Sequence, residues 1–405
     1  MNRAIYLFST VFTLLSGLLF AQDPQTKAPY FSYKNGLGFA TPDSSYSLNI
    51  RFRIQNRALM NTQSDNDFAP GSFEARVRRC RLVLTGHVLN PKLSYYMQLS
   101  FARGDMDWSV ADVTSQNVSP NVLRDAMIFY RPSKHLLFGF GQGKLPGNRQ
   151  RINSSGALQF YDRSLVNVNF TTDRDFGFFT TYTIKTKSPF TTLLKGAITS
   201  GEGRNSNISN YGLAYTGRVE VLPFGAFTDG GDFFEGDLAR EPKPKLSIAA
   251  GYMFNDMAVR TGGQLGKDLY GQKSFNLYFA DLIFKYRGFS FLSEYMRRDA
   301  NSPYLLGTDN KMHLITTGDG LNNQVSYCFK SMWELALRQT LVSPHHDVIK
   351  GFNQAEQYAV GVSKYLNKHK VKVQFNLLYN KERNLATQKD ISGYYTAVFQ
   401  LELGI

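Results

Sequence analysis

The chain has 405 residues but only 2 Cys, 2 Trp and 6 His. Beyond its first twenty residues no apolar run approaches the roughly 18 needed for a membrane helix. Each shortage removes a class of protein. Cys80 and Cys328 are too few for a disulfide scaffold, and their spacing suits no metal site. By alternation Cys80 points with the apolar residues of its segment and Cys328 with Gln324 and Ser326, which sets the two thiols apart. His87, His135, His313, His345, His346 and His369 fall mostly in turns and loops, and the pair at 345–346 has no third ligand at useful spacing. No Ser/His or Asp/His constellation for hydrolysis assembles from them. The stretch GQGKLPGN lacks the residue order of a P-loop. An enzyme, a metal centre and a cofactor are therefore not expected. Acids are also short: 46 Lys+Arg stand against 32 Asp+Glu, a formal charge of +14. That excess points to an anionic partner: nucleic acid, a lipid surface or small anions.

What the chain has in quantity is alternation. The first 21 residues read as a secretory signal, with basic MNR, an apolar stretch and Ala21 at the cut; an uncleaved anchor is the alternative. Residues 22–45 read as an irregular periplasmic lead-in. From Tyr46 to Ile405, segments of about ten residues repeat with period two, and no helical period intervenes. In LNIRFRIQNR, Leu48, Ile50, Phe52 and Ile54 alternate with Asn49, Arg51, Arg53 and Gln55. Connections alternate between short and long, with 223–244 as a long connection in a short slot. Counting 165–186 as one strand gives about sixteen strands with both ends on the short-turn side. Even strand number, one apolar face and this loop asymmetry describe a transmembrane antiparallel β-barrel of the outer-membrane porin type. A secreted two-sheet protein would need its apolar faces packed inward instead. Export and a lumenal placement of the charge set nucleic acid aside.

One strand commits a whole face to arginine. In FEARVRRCRLVLTG, Phe73, Ala75 and Val77 alternate, the pattern slips by one residue, and Cys80, Leu82 and Leu84 resume it. An extra residue at Arg78/Arg79 is a β-bulge. It lets Arg76, Arg78, Arg79 and Arg81 face one side, beside Arg51, Arg53 and Arg57 of the preceding strand. Guanidinium forks match oxyanions and are weakly hydrated, which suits capture and release in an anion pore. The competing role is internal pairing with Glu74, Glu220, Asp281, Glu294 and Glu334. The connection of about 144–164, after the fifth strand, is the expected inward constriction loop. It carries Lys144, Arg149, Arg151 and Arg163 against Asp162; the alternative places it outside, on the surface.

The chain resembles a known family, the phosphate-selective porins O and P of Gram-negative bacteria. The resemblance rests on RVRRCRLVLTGHVLNPKLSYYMQLSF, on GFGQGKLPGNRQRINSSGALQFYDRSLVN followed by DRDFG, on RVEVLPFGAF and on the closing alternating strand. It spans about Tyr46 to Ile405. It implies a sixteen-stranded barrel in the outer membrane, in contact with its lipid, assembled as a homotrimer and passing phosphate or related small anions. By these stretches Arg76, Arg78, Arg79, Arg81, Lys144, Arg149, Arg151, Arg163 and Arg174 are expected to line the pore or anchor its loop. The alternative function is a general, weakly selective porin for small hydrophilic solutes.

Overall fold

The computed structural model describes residues 30–33, 36–102, 122–206 and 210–405. The expected signal segment lies outside them, as do most of residues 104–122, which the sequence reads as one of the long connections. Eighteen strands form one sheet, of which sixteen close into an antiparallel barrel. The other two, β1 (Tyr30–Ser32) and β2 (Leu37–Ala40), make a hairpin on its rim. The wall runs β3 (Ser47–Thr62), β4 (Pro70–Val88), β5 (Asn90–Ser100), β6 (Leu123–Tyr130), β7 (Leu136–Lys144), β8 (Arg174–Lys185), β9 (Thr191–Thr199) and β10 (Ala214–Leu222). It continues through β11 (Lys245–Arg260), β12 (Asp268–Tyr286) and β13 (Phe289–Asp299). A small separate hairpin of β14 (Tyr304–Leu306) and β15 (Met312–Leu314) follows in the next long loop. The wall then resumes with β16 (Gly318–Cys328), β17 (Trp333–Pro344), β18 (Gln354–Asn367), β19 (Val371–Asn384) and β20 (Lys389–Gly404). β20 closes the ring against β3, from Thr396 opposite Asn61 to Gly404 opposite Arg53. No described helix is long and apolar enough to cross a membrane; the strands do the crossing.

The alternation in sequence becomes the two faces of the wall. Leu335 and Leu337 on β17 are exposed, while Glu334, Ala336 and Arg338, which alternate with them, are buried. Leu48, Ile50, Phe52 and Ile54 take the outer face of β3, and Phe375, Leu377, Phe399 and Leu401 that of β19 and β20. Such an outward apolar band is what lipid requires. Cys80 and Cys328 are free thiols, the second of them buried.

The elements correct the expectations from sequence in several places. Residues 165–170 are not strand but a short helix, α2 (Leu165–Phe170), following another, α1 (Arg149–Ile152). The Ser164 hydroxyl caps α2 by accepting the Asn167 N–H. Val166 and Phe170, four apart, share the face that is buried. The lead-in is not irregular throughout: Phe39 of β2 pairs with Leu48 of β3 and stacks its ring edgewise on Phe31, 5.6 Å away. β19 and β20 run on up to a turn at 385–388.

The lumen is not a water-filled tube all round. The connection 145–173 folds into it from the long-loop side. Leu145, Val166 and Phe170, with no exposure, pack against Met253, Leu277, Met296 and Val342 of the inner wall. Each such apolar side chain contributes about 2 kcal/mol when fully buried. A dry core thus fills one side of the barrel, and it is why β11, β12, β13 and β17 carry apolar residues facing inward.

Candidate functional site

The arginines of β3 and β4 meet on one lumenal wall. Register pairs Arg57 with Arg76, Gln55 with Arg79 and Arg53 with Arg81, and Arg78 is the extra residue between them. The bulge therefore sits where the alternation slips. Residues directly opposite on antiparallel strands share a face, so Arg76, Arg79 and Arg81 join Arg53 and Arg57 inside. Arg51 follows Arg53 by the period of two.

Asp162 of the inward loop answers three of these charges. Its Oδ2 lies 3.1 Å from Arg57 Nη2 and 2.9 Å from Arg78 Nη2, and its Oδ1 lies 2.9 Å from Arg79 Nη2. Burial opposes ionisation of this carboxyl. The charges of Arg79, Arg78 and Arg57 outweigh it and hold the group well below the usual carboxylate range. Lower down, Arg53 Nη1 meets Glu402 at 3.3 Å, and Arg53 and Arg81 both donate to the Ser155 hydroxyl, at 2.6 and 3.1 Å. Gly156 passes so close that a Cβ would strike Arg53 and Glu402. Arg76 pairs with Glu74 at 2.7 Å, and both side chains are partly exposed. Arg51 is half-buried and its Nε has no hydrogen-bond partner. With Arg53, Arg81, Tyr96 and Lys370 it lines a cavity of about 320 Å³ on the short-turn side.

Of the cations expected to line the pore or anchor its loop, Arg149 of the loop and Arg174 at the start of β8 are buried and engaged by acids. Arg149 meets Glu220 at 2.5 Å and Asp281 at 3.1 Å, and Arg174 meets Asp125 at 2.8 Å and Asp173 at 3.3 Å. Lys144 and Arg163 brace the loop's backbone: Lys144 donates to the carbonyls of Ile152 and Asn153, and Arg163 to those of Gln150 and Asn153. Burial, with Arg79 nearby, brings the Arg163 guanidinium down to about 9. Arg151 pairs with Asp173. Burial and the charges of Arg163 and Arg174 push its guanidinium well below its usual value.

The acids expected to neutralise that wall mostly do other work. Glu220 and Asp281 bind Arg149 and Arg218, Glu294 accepts from Asn148 and from the Gln150 N–H, and Glu334 accepts from Gln159. Only Glu74 of that set meets the wall, through Arg76. Several partners were not singled out from sequence. Lys372 donates to the carbonyls of Gly156 and Leu158, Arg338 to that of Asp162, and Glu235 holds Gln150 and Gln159. Inward parity within a strand marked Lys372 and Arg338; nothing local marked Glu235.

A closed barrel with an inward loop facing a basic wall is the architecture of outer-membrane porins, and the protein is a channel of that class. The model of the phosphate-selective porin O and P family matches residues 48–228 of this chain. The match includes the arginine wall, the inward loop and RVEVLPFGAF; the closing strand lies beyond it. Among solved structures, the outer-membrane channel DcaP of Acinetobacter baumannii is similar at 12% identity and a TM-score of 0.53, covering 93% of this chain and 100% of that one. OmpF of Salmonella typhi, solved with daunomycin, is similar at 12% identity and 0.53, covering 89% and 98%. OmpT of Vibrio cholerae shares 9% identity at 0.50 over 89% and 98%. At such identities the likeness is one of fold. No curated protein matches this chain in sequence.

Proposed function

We propose that this porin conducts small anions, phosphate or related oxyanions, along the arginine wall of β3 and β4. The observation that carries the proposal is the gathering of Arg51, Arg53, Arg57, Arg76, Arg78, Arg79 and Arg81 on one lumenal face. Charged rings and ladders of one sign are how pores choose the sign of their ion. Asp162 consumes part of this charge as a latch for the loop. Arg51 and Arg76 stand at two different heights, Arg51 in the lining of the cavity beside Arg53 and Arg81 and Arg76 exposed. A guanidinium fork offers two parallel N–H donors to an oxyanion, so such a pore holds phosphate longer than chloride.

The same proposal includes export by the N-terminal signal to the outer membrane of a Gram-negative cell, and assembly as a homotrimer, as the family resemblance implies. Phosphate titrated into a chloride-carrying single channel tests the choice of anion. Partial block at low phosphate is the expected result. Chloride current indifferent to phosphate would leave a general, weakly selective porin.

A further inference from the structure

We infer that the connection 223–244 is the floor of the pore. It rises from the short-turn side, closes the mouth beneath the β10–β18 side of the barrel and confines passage to the arginine wall. This goes beyond anion choice, because it concerns where the open path lies and how wide it is.

Short turns suffice elsewhere on this rim; only residues 287–288 separate β12 from β13. The chain from Leu222 to Lys245 instead enters the lumen. Its backbone is tied to the inner wall: Lys285 Nζ donates to the carbonyls of Gly231 and Gly236, both at 2.7 Å, and the Ser290 hydroxyl donates to that of Glu235 at 2.5 Å. The Gly288 N–H donates to Asp237 Oδ2 at 2.7 Å. Gly236 is pressed on the β17 side, where a Cβ would strike the Glu334 carboxylate.

The same segment is joined to the inward loop above it. The Glu235 carboxylate accepts from Gln150 Nε2 and from the Gln159 N–H, both at 2.9 Å, and from Gln324 Nε2 at 3.2 Å. The Glu235 N–H donates to the Ala157 carbonyl at 3.2 Å. Loop and floor therefore meet in mid-barrel with their polar groups matched. A buried carboxylate held by three N–H donors is costly to dislodge.

The floor ends where the arginines begin. Phe234 stacks on His369, in the turn between β18 and β19, with ring centroids 4.7 Å apart and planes 12° from parallel. Phe234 and His369 then form part of the lining of the cavity that holds Arg51, Arg53 and Arg81. Behind it, Glu220, Asp281, Glu294 and Glu334 are each at most 4% exposed. The floor thus narrows the mouth and keeps the lumenal acids out of the ion path.

Two variants test this in planar bilayers. In the first, 223–244 is replaced by a short turn like that joining β12 to β13. In the second, Phe234→Ala trims one side chain at the edge of the mouth and changes no charge. The excision should raise single-channel conductance at least about twofold, since conductance follows bore, and should weaken charge selectivity as carboxylates meet water. Phe234→Ala should give a smaller rise with selectivity kept. Unchanged conductance in the excised barrel would overturn the inference. If excision prevents assembly, Phe234→Ala decides alone: a rise supports the floor, and wild-type conductance overturns it. Conductance is read independently of ion preference, so an unselective wild-type channel would refute the anion proposal and leave this one standing.

Discussion

Asp162 shows how one residue carries two jobs. Local charge in the loop marked it as the lone acid among Lys144, Arg149, Arg151 and Arg163, and so as a minor correction to a basic patch. In three dimensions it accepts from Arg57, Arg78 and Arg79 at once and fastens the loop to the opposite wall. No spacing rule could have joined residue 162 to residues 57, 78 and 79, because the partners come together only on closure of the barrel. Asp162→Asn removes the charge and leaves three guanidiniums facing one another. Breaking a largely buried ion pair costs about 3 kcal/mol. The expected outcome is a barrel that loses its folded electrophoretic form at a lower temperature and shows noisier single-channel current. Wild-type values for both would mean that the loop is held by its backbone contacts alone.

At the scale of elements, the strands were legible and the fillings of the lumen were not. Period two needs only a half-buried wall, and every strand has one, so β3, β4, β17, β19 and β20 declare themselves. The bulge at Arg78 was equally readable, since a one-residue slip inverts every later side chain unless a bulge absorbs it. The helix α2 was missed because LVNVNF is too short to show a helical period and its β-branched valines suit a strand; burial of Val166 and Phe170 against the inner wall overrides that preference. The connection 223–244 was noticed only as an anomaly of length. Lengths also bear on assembly. The strands β6, β7, β9 and β10 have 8, 9, 9 and 9 residues, at or below the roughly 9–11 of a membrane-crossing strand. A low wall with outward Ile128, Phe138 and Ile198 is one that a neighbouring barrel can cover. Ile198→Cys in a Cys80→Ser background should cross-link to species of more than one chain in native membranes. Single chains only would place any trimer contact elsewhere or remove it.

At the scale of the whole molecule, the lumen divides into an open arginine wall and a covered side where acids and their basic partners are buried together. Arginines line β3 and β4, while Glu220, Asp281, Glu294 and Glu334 lie opposite, buried under the loop and the connection 223–244. The net charge of +14 foretold an anionic partner but not this division, which exists only because two connections fold inward and cover the acids. The central claim is that the uncovered arginines set the sign of the permeant ion. The most direct measurement is the reversal potential across a bilayer holding the reconstituted channel in a salt gradient, for wild type and for Arg51→Gln/Arg76→Gln. These two positions hold neither Asp162 nor Ser155, so the loop keeps its anchors, and loss of Arg76 leaves Glu74 facing the path. The wild-type potential should take the sign of anion permeation. The double variant should move toward zero, most clearly at low ionic strength, where screening is weakest. A wild-type potential of zero, or a double variant indistinguishable from an anion-selective wild type, would contradict the account.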